Sequence, residues 1–227
     1  PDGFRQIKRQ RYRENTFVGQ YDKRYRSGLN AVSTLVETGW VIRRARRLVL
    51  DCGAGTGRIS LPVAEKGLAV IAIDSSTGML GELRAKAPLP CLAGDIYSLP
   101  VRPGGIDTLV CLHLLFHLPD WREALAELSR ALRPGGRLIF EMRSGEHTAL
   151  ARRAMRLFRR SYTAVKGDPA GVTFHATYGE VSASLKACGL SLEARLNYDL
   201  GHSYYFSPLN AALDRAFSKH PALCRLQ

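Results

Sequence analysis

The chain is short of acid: 20 Asp and Glu stand against 33 Lys and Arg in 227 residues, a formal charge of +13. The excess base gathers in three places. Arg5, Lys8, Arg9, Arg11, Arg13, Lys23, Arg24 and Arg26 lie near the amino end, Arg43, Arg44, Arg46 and Arg47 form a second run, and Arg152, Arg153, Arg156, Arg159 and Arg160 a third. Such clusters either attract an anionic partner (nucleic acid, lipid or acidic substrate) or simply solvate a surface. Cysteine is sparse and odd in number. Cys52, Cys91, Cys111, Cys188 and Cys224 are scattered, mostly inside apolar runs, which argues against a disulfide frame or zinc site and for reduced core thiols. No apolar run approaches the roughly 18 residues of a membrane-spanning helix. There is no internal repeat, no low-complexity tract and no signal-peptide pattern, so a single domain in the cytoplasm is expected. A content of 45% hydrophobic and 23% charged residues supplies the core such a domain needs.

What the chain does have is glycine at alternate positions. In LVLDCGAGTGR, starting at Leu48, Gly53, Gly55 and Gly57 directly follow an apolar run. The run reads as a buried parallel strand, and Ile59, Leu61, Val63 and Ala64 continue as a helix. The loop therefore sits at a strand-to-helix switch, where open α/β sheets bind nucleotides. Lacking Cβ atoms, it can lie flat against a nucleoside. Its spacing, D-x-G-x-G-x-G, differs from the G-x-G-x-x-G of dinucleotide folds, and no Lys-Ser/Thr follows to make a Walker-type phosphate loop. Asp51 narrows the choice further, because a carboxylate repels pyrophosphate but accepts hydrogen bonds from an ammonium group.

More strands follow in order. Ala69 to Ile73 is a second buried run ending at Asp74, 17 residues after Gly57, where an acid either accepts both ribose hydroxyls or caps the next helix. Cys91 to Ile96 contains Gly94-Asp95, Asp107 to Leu112 gives a fourth strand, and Leu132 to Glu141 a turn and a fifth. The ordered set resembles the motifs of class I S-adenosylmethionine-dependent methyltransferases, over roughly residues 17 to 142. Phe116-His117-Leu118-Pro119-Asp120 resembles the His-His-Leu-Pro-Asp of the ubiquinone and menaquinone biosynthesis methyltransferases and their small-molecule relatives, with Phe116 in place of the first His.

The resemblance implies an α/β fold: a Rossmann-like three-layer sandwich around a mostly parallel seven-stranded sheet with its last strand antiparallel. Ser191 to Leu196 and Ser203 to Phe206 would be the final two strands. It also implies S-adenosylmethionine as cofactor and S-adenosylhomocysteine as product. Asp51 would receive the ammonium, directly or through water, with Cys52, Gly53, Ala54, Gly55 and Gly57 forming the loop. Asp74 would hold the ribose, Ser75 to Met79 would lie beside the adenine, Asp95 would accept from its amino group, and Ile96 would cover the ring. Cys111 and Leu112 would face the transferred methyl, His117 would pack below the cofactor, and Tyr21 would belong to a segment closing over it.

Methyl transfer from a sulfonium is an in-line displacement, so alignment and exclusion of water do most of the work. A base is needed only where the acceptor must lose a proton early. His113 is either that base or a satisfied loop histidine, and His175 is a second candidate. Tyr12, Tyr25, Arg143, Tyr178 and Tyr204 are candidates to line the acceptor pocket. The chain has no Asn/Asp-Pro-Pro-aromatic tetrapeptide, which argues against exocyclic base amines or protein glutamine as acceptors. Pro90-Cys91 precedes strand three, the wrong place for a cytosine-C5 nucleophile. No carboxylate cluster of metal spacing is visible around Glu141, so no metal is expected. The expected acceptor is the O, N or C of a small molecule. The alternative is RNA or protein docked on the basic amino end.

A single methyltransferase domain is expected over residues 1 to 227. Residues 1 to 28 form a lid segment or a disordered leader, and 29 to 142 the cofactor-binding core. Residues 145 to 177 form an insertion covering the substrate, with an Arg-rich helix striped by Ala151, Ala154, Met155 and Phe158. Residues 178 to 227 supply a helix, strands and a tail. An amphipathic helix with Leu29, Val32, Leu35 and Val36 is expected to end at Gly39, and Asp120/Glu123 and Thr177/Glu180 to cap two later helices.

Overall fold

Runs rich in Val, Ile and Leu recur between longer amphipathic segments, and strands buried on both faces are stable only in a sheet covered by helices. A computed structural model, which describes residues 21–25, 28–144 and 173–196, has this arrangement. Strands β1 (Leu48–Cys52), β2 (Ala69–Asp74), β3 (Cys91–Ala93), β4 (Ile106–Cys111) and β5 (Leu132–Phe140) form one sheet in the order β3-β2-β1-β4-β5. Every pairing in it is parallel. The order reverses between β1 and β4, so the crevice beyond their carboxyl ends is the fold's natural ligand site.

Alternate strand residues feed two layers. Val49, Val70, Val110 and Ile139 pack with Val41 of helix α1 (Gly28–Arg44) and Val63 of α2 (Ser60–Glu65), and Ala72 packs with Leu80 and Leu83 of α3 (Thr77–Lys86). On the opposite face Leu50, Cys52, Ile73, Leu109 and Cys111 meet Trp121, Leu125 and Leu128 of α4 (Trp121–Ala131) and Leu185 of α5 (Tyr178–Ala187). A short parallel ribbon of β6 (Arg143–Ser144) and β7 (His175–Ala176) stands apart from the main sheet, tied to it by the Phe174 N–H donating to the Phe116 carbonyl at 2.7 Å.

Four expectations meet the structure differently. Helix α1 does not stop at Gly39 but runs to Arg44, because Val41 is core and the Arg44 guanidinium lies 3.3 Å over the Trp40 ring. Its buried line is Ser33, Glu37 and Val41, one turn apart, while Leu35 is 54% exposed. Asp120 starts α4 without a side-chain cap, its carbonyl accepting from Glu123 N–H instead, whereas Thr177 and Glu180 form the full capping box of α5. Ser191 to Leu196 forms no strand: all six residues are exposed, and with no face to bury, the apolar alternation has nothing to hold it in a sheet. The Arg137–Glu193 ion pair ties this segment to the edge of β5. The main sheet therefore has five strands among the described residues. Ser203 to Phe206 with Tyr204, the leader with Tyr12, and the Arg-rich part of the expected cover lie outside the described residues. No helix among those described is long and apolar enough to cross a membrane.

Candidate active site

The three loop glycines all have left-handed backbones, with φ of +81°, +55° and +91° at Gly53, Gly55 and Gly57, yet their surroundings differ. A Cβ on Gly53 would lie 2.8 Å from Leu114 Cδ2, and one on Gly57 would overlap Leu83 and reach within 3.1 Å of Leu61. At Gly55 the nearest atom is the Tyr21 ring at 3.9 Å, so this is the position where the loop is open to a ligand. The Gly53 and Ala54 N–H groups donate to the Ile73 carbonyl at 2.8 and 3.0 Å, stitching the loop to β2.

Asp74, at the tip of β2, accepts from Gly55 N–H through Oδ2 and from Ser76 N–H through Oδ1, both at 2.8 Å. Burial pushes its carboxyl above the usual carboxylate range despite these donors. With about four acceptor positions, the carboxylate keeps capacity for a further donor. Asp51 lies beneath the loop, 3% exposed, with its Oδ2 accepting from Ser60 Oγ at 2.6 Å. Burial lifts its pKa to about 6, with Asp74 adding to the rise and Ser60 and Arg58 opposing it. Cys52 and Cys111 point into the core on the α4 side, and burial drives both thiols upward, so what they offer a ligand is backbone. Leu112 is half-buried against the α1 and α2 layer. Asp95 Oδ1 accepts from Tyr97 N–H at 3.2 Å, Ile96 is half-buried beside it, and Met79 is buried with its N–H on Ser76 Oγ, the N-cap of α3.

Beyond β4 the chain turns through His113 at φ +55°, and three elements converge on its ring. His113 Nε2 lies 2.9 Å from Glu37 Oε1 of α1 and 3.4 Å from Glu141 Oε2, just after β5. The His113 N–H donates to the same Glu141 oxygen at 3.1 Å. Arg58, directly after the glycines, donates to Glu37 Oε2 at 2.5 Å and to Thr34 Oγ1 at 3.3 Å, and lies 4.8 Å over the Tyr25 ring. Tyr25 and Phe116 meet the imidazole edge-on at 6.2 and 6.1 Å. Burial, with Glu37 adding its charge, holds the Glu141 carboxyl above the usual range against the pull of His113. The expectation that Glu141 has no such neighbours is thus corrected: one ligand atom each from Glu37, His113 and Glu141 lies within 4.8 Å of the others.

Residues 50–140 match the family described as a methyltransferase domain. An uncharacterized methyltransferase of Mycobacterium tuberculosis is 39% identical over 100 residues, 44% of this chain and 41% of that one. Demethylmenaquinone methyltransferase of Renibacterium salmoninarum is 39% identical over 92 residues, 40% of this chain and 39% of that enzyme. The matched region thus spans about two fifths of these relatives. The crystal structure of magnesium protoporphyrin IX methyltransferase from Synechocystis with bound S-adenosylhomocysteine superposes with a TM-score of 0.69, at 20% identity, over 88% of this chain and 95% of that one. Over residues 50–140 the chain is thus similar in sequence to methyltransferase domains, and its fold is that of the magnesium protoporphyrin IX enzyme.

The other residues singled out in the sequence lie in different places relative to this cluster. Tyr21 and Tyr25 stand 5.5 Å apart, ring to ring, at the end of the described amino-terminal segment. Between them Asp22 accepts from Thr56 Oγ1 of the glycine loop and from Lys86 Nζ of α3, both at 2.5 Å, while Lys86 also donates to the Thr56 carbonyl. The Tyr21-Asp22 pair resembles that of a covering segment in small-molecule methyltransferases, but no sequence signal marks Thr56 and Lys86 as its partners, which lie far off in the chain. They fasten the segment to the loop with a half-exposed ion pair worth up to about 1 kcal/mol. Asp22→Asn is accordingly expected to speed S-adenosylhomocysteine dissociation two- to threefold in stopped-flow measurements; an unchanged rate would show that the segment does not gate the site.

His117 packs on Phe116 at 4.4 Å, and the Arg143 guanidinium lies 4.5 Å over the same Phe116 ring. His175 is exposed on β7, in register with Arg143, with Nε2 3.3 Å from Thr173 Oγ1. Tyr178 opens α5 at 45% exposure beneath Arg195, on the outer surface and not in the cluster around His113.

Proposed function

We propose that the protein transfers the methyl group of S-adenosylmethionine to the O, N or C of a small-molecule acceptor by in-line displacement. One observation carries this reading: Arg58, which directly follows the glycine loop fixed by Asp74, bonds Glu37 and so joins the loop to the Glu37–His113–Glu141 cluster. The loop takes the nucleoside and the cluster the acceptor's reacting group. Asp74 receives the ribose with its remaining lone pairs, and Asp51, closed off below the loop, acts on the ammonium through bridging water. The small-molecule acceptors named for the menaquinone and protoporphyrin enzymes support the acceptor class, and free thiols at Cys52, Cys91, Cys111 and Cys188 fit the reducing cytoplasm.

Calorimetry should show S-adenosylhomocysteine binding, weakened at least tenfold by Asp74→Ala. Absence of binding to the unmodified protein would sink the cofactor assignment. A labelled-methyl screen against metabolite extract, RNA and protein in parallel should place the label in the small-molecule fraction. Label in RNA, with affinity falling steeply as salt rises, would establish instead the alternative in which basic residues dock nucleic acid.

A further inference from the structure

We propose that Glu37 and His113 act together as the catalytic base, with His113 Nδ1 taking the proton, and that the methyl acceptor is therefore a hydroxyl group. This rests on the methyltransferase reading and goes beyond it by naming the reacting atom's class. A carboxylate only accepts, so in the neutral imidazole the 2.9 Å contact with Glu37 Oε1 places the ring hydrogen on Nε2 and leaves Nδ1 as the ring's proton acceptor. Glu37 is in no position to swing away: it is 4% exposed, and Arg58, shared with Thr34, holds its other oxygen. The ring is anchored from its own backbone as well. His113 adopts φ +55°, strained for a residue with a Cβ, and keeps it because its N–H is bonded to Glu141. The charged and titratable groups facing the imidazole are thus Glu37 from α1, Glu141 from the end of β5 and Tyr25 from the amino-terminal segment, with Arg58 behind Glu37.

A neutral amine attacks with a lone pair it already has and sheds its proton afterwards. A hydroxyl is a poor nucleophile until its O–H bond weakens, and only then does a positioned base contribute. In the step, the acceptor O–H proton passes to His113 Nδ1 as the oxygen lone pair forms the O–CH3 bond. The methyl–sulfur bond breaks with its pair remaining on sulfur, turning the sulfonium into a thioether. The imidazolium charge is balanced by Glu37 and Glu141, and the proton is then lost to water. Arg58 and Glu37 are positioning residues, and His113 is the group that touches the acceptor.

Glu37→Gln tests the arrangement sharply. Arg58 can only donate, so the amide oxygen turns to Arg58 and the amide NH2 to His113, where Nε2 accepts from it at 2.9 Å in preference to donating to Glu141 Oε2 at 3.4 Å, and the ring hydrogen moves to Nδ1. Nitrogen-15 NMR of the imidazole should show the Nε2–H tautomer in the unmodified protein and Nδ1–H in Glu37→Gln. With a hydroxyl acceptor taken from the labelled screen, kcat should fall at least tenfold while KM and S-adenosylhomocysteine affinity stay within threefold. Retained affinity shows the variant folded, and the tautomer of the unmodified protein tests the proposal without any variant. An Nδ1–H tautomer in the unmodified protein, products methylated only on N or C, or turnover restored tenfold to chelator-treated protein by Mn2+ or Zn2+ alone would each overturn it. Loss of cofactor binding in the unmodified protein would indict the methyltransferase reading instead.

Discussion

Gly57→Ala is expected to lower the melting temperature by about 10 °C and to abolish measurable cofactor binding near that temperature, a larger effect than alanine at either neighbouring loop glycine. Two costs add. Gly57 sits at φ +91°, where a residue with a Cβ is disfavoured by about 1–2 kcal/mol. The new methyl would also overlap Leu83 Cδ1 and press on Leu61 at 3.1 Å, and Leu83 is itself a fully buried core residue. Overpacking of this kind typically costs about 1–3 kcal/mol. Together they come to about 2–5 kcal/mol, a large part of a domain's stability, and a domain of this size loses about 2–4 °C per kcal/mol. Gly67→Ala is the matched control, since Gly67 has φ +81° but no atom within 4 Å of its Cβ position, so only the conformational cost remains. Equal losses at the two sites in thermal melts would refute the packing argument. Gly55→Ala separates the third role: it should cost little stability, because only the Tyr21 ring lies near, yet weaken the cofactor by placing a methyl on the open side of the loop.

The contrast among these glycines also shows which parts of the site can be read from the chain alone. The strand, loop and second acidic strand are local, each signal spanning a few residues, and the structure has them where alternation and spacing put them. The spacing does not say that Gly57 faces Leu83 while Gly55 faces open space, because those neighbours come from α3 and the amino-terminal segment. The cluster around His113 is more hidden still. His113 meets Glu37 across 76 residues and Glu141 across 28, and neither acid belongs to a motif. Glu37 was further masked by the helix rule itself. An apolar stripe through Leu29, Val32, Leu35 and Val36 assumes that α1 buries its greasiest side, whereas the helix turns Ser33 and Glu37 inward and leaves Leu35 exposed. A helix that lines a reaction crevice buries the polar residues chemistry needs, so the hydrophobic period misplaces its face. Ser33 Oγ and Thr38 Oγ1, buried on this helix without a hydrogen-bond partner among the described residues, carry the same signature.

Asp51 should show the same conflict between stability and function in reverse. Its folded pKa of about 6 lies above the value near 4 it has in an unfolded chain, so the native state binds the proton more tightly. For a carboxyl shifted in this direction, stability falls as pH rises from about 4 to about 6, and above that window the buried carboxylate costs the native state about 3 kcal/mol. Asp51→Asn removes that charge while its side-chain oxygen can still accept from Ser60 Oγ, so the ligand-free variant should be more stable than the parent by up to about 3 kcal/mol at pH 8 and indistinguishable from it below pH 4. The gain should come with a weaker cofactor, because the proposed role of the carboxylate is to face, through water, the cofactor's ammonium group. Binding that cation favours the ionised form, so in the parent S-adenosylhomocysteine affinity should rise between pH 5 and pH 7 as Asp51 gives up its proton. In Asp51→Asn the part of that dependence centred near 6 should vanish, leaving only the contribution of Asp74, whose carboxyl is also raised by burial. Denaturant melts and calorimetry across this range read both quantities. A variant that is less stable at pH 8, or that keeps the parent's affinity and its full pH dependence, would show that the carboxylate below the glycine loop is held for the fold and not for the ligand.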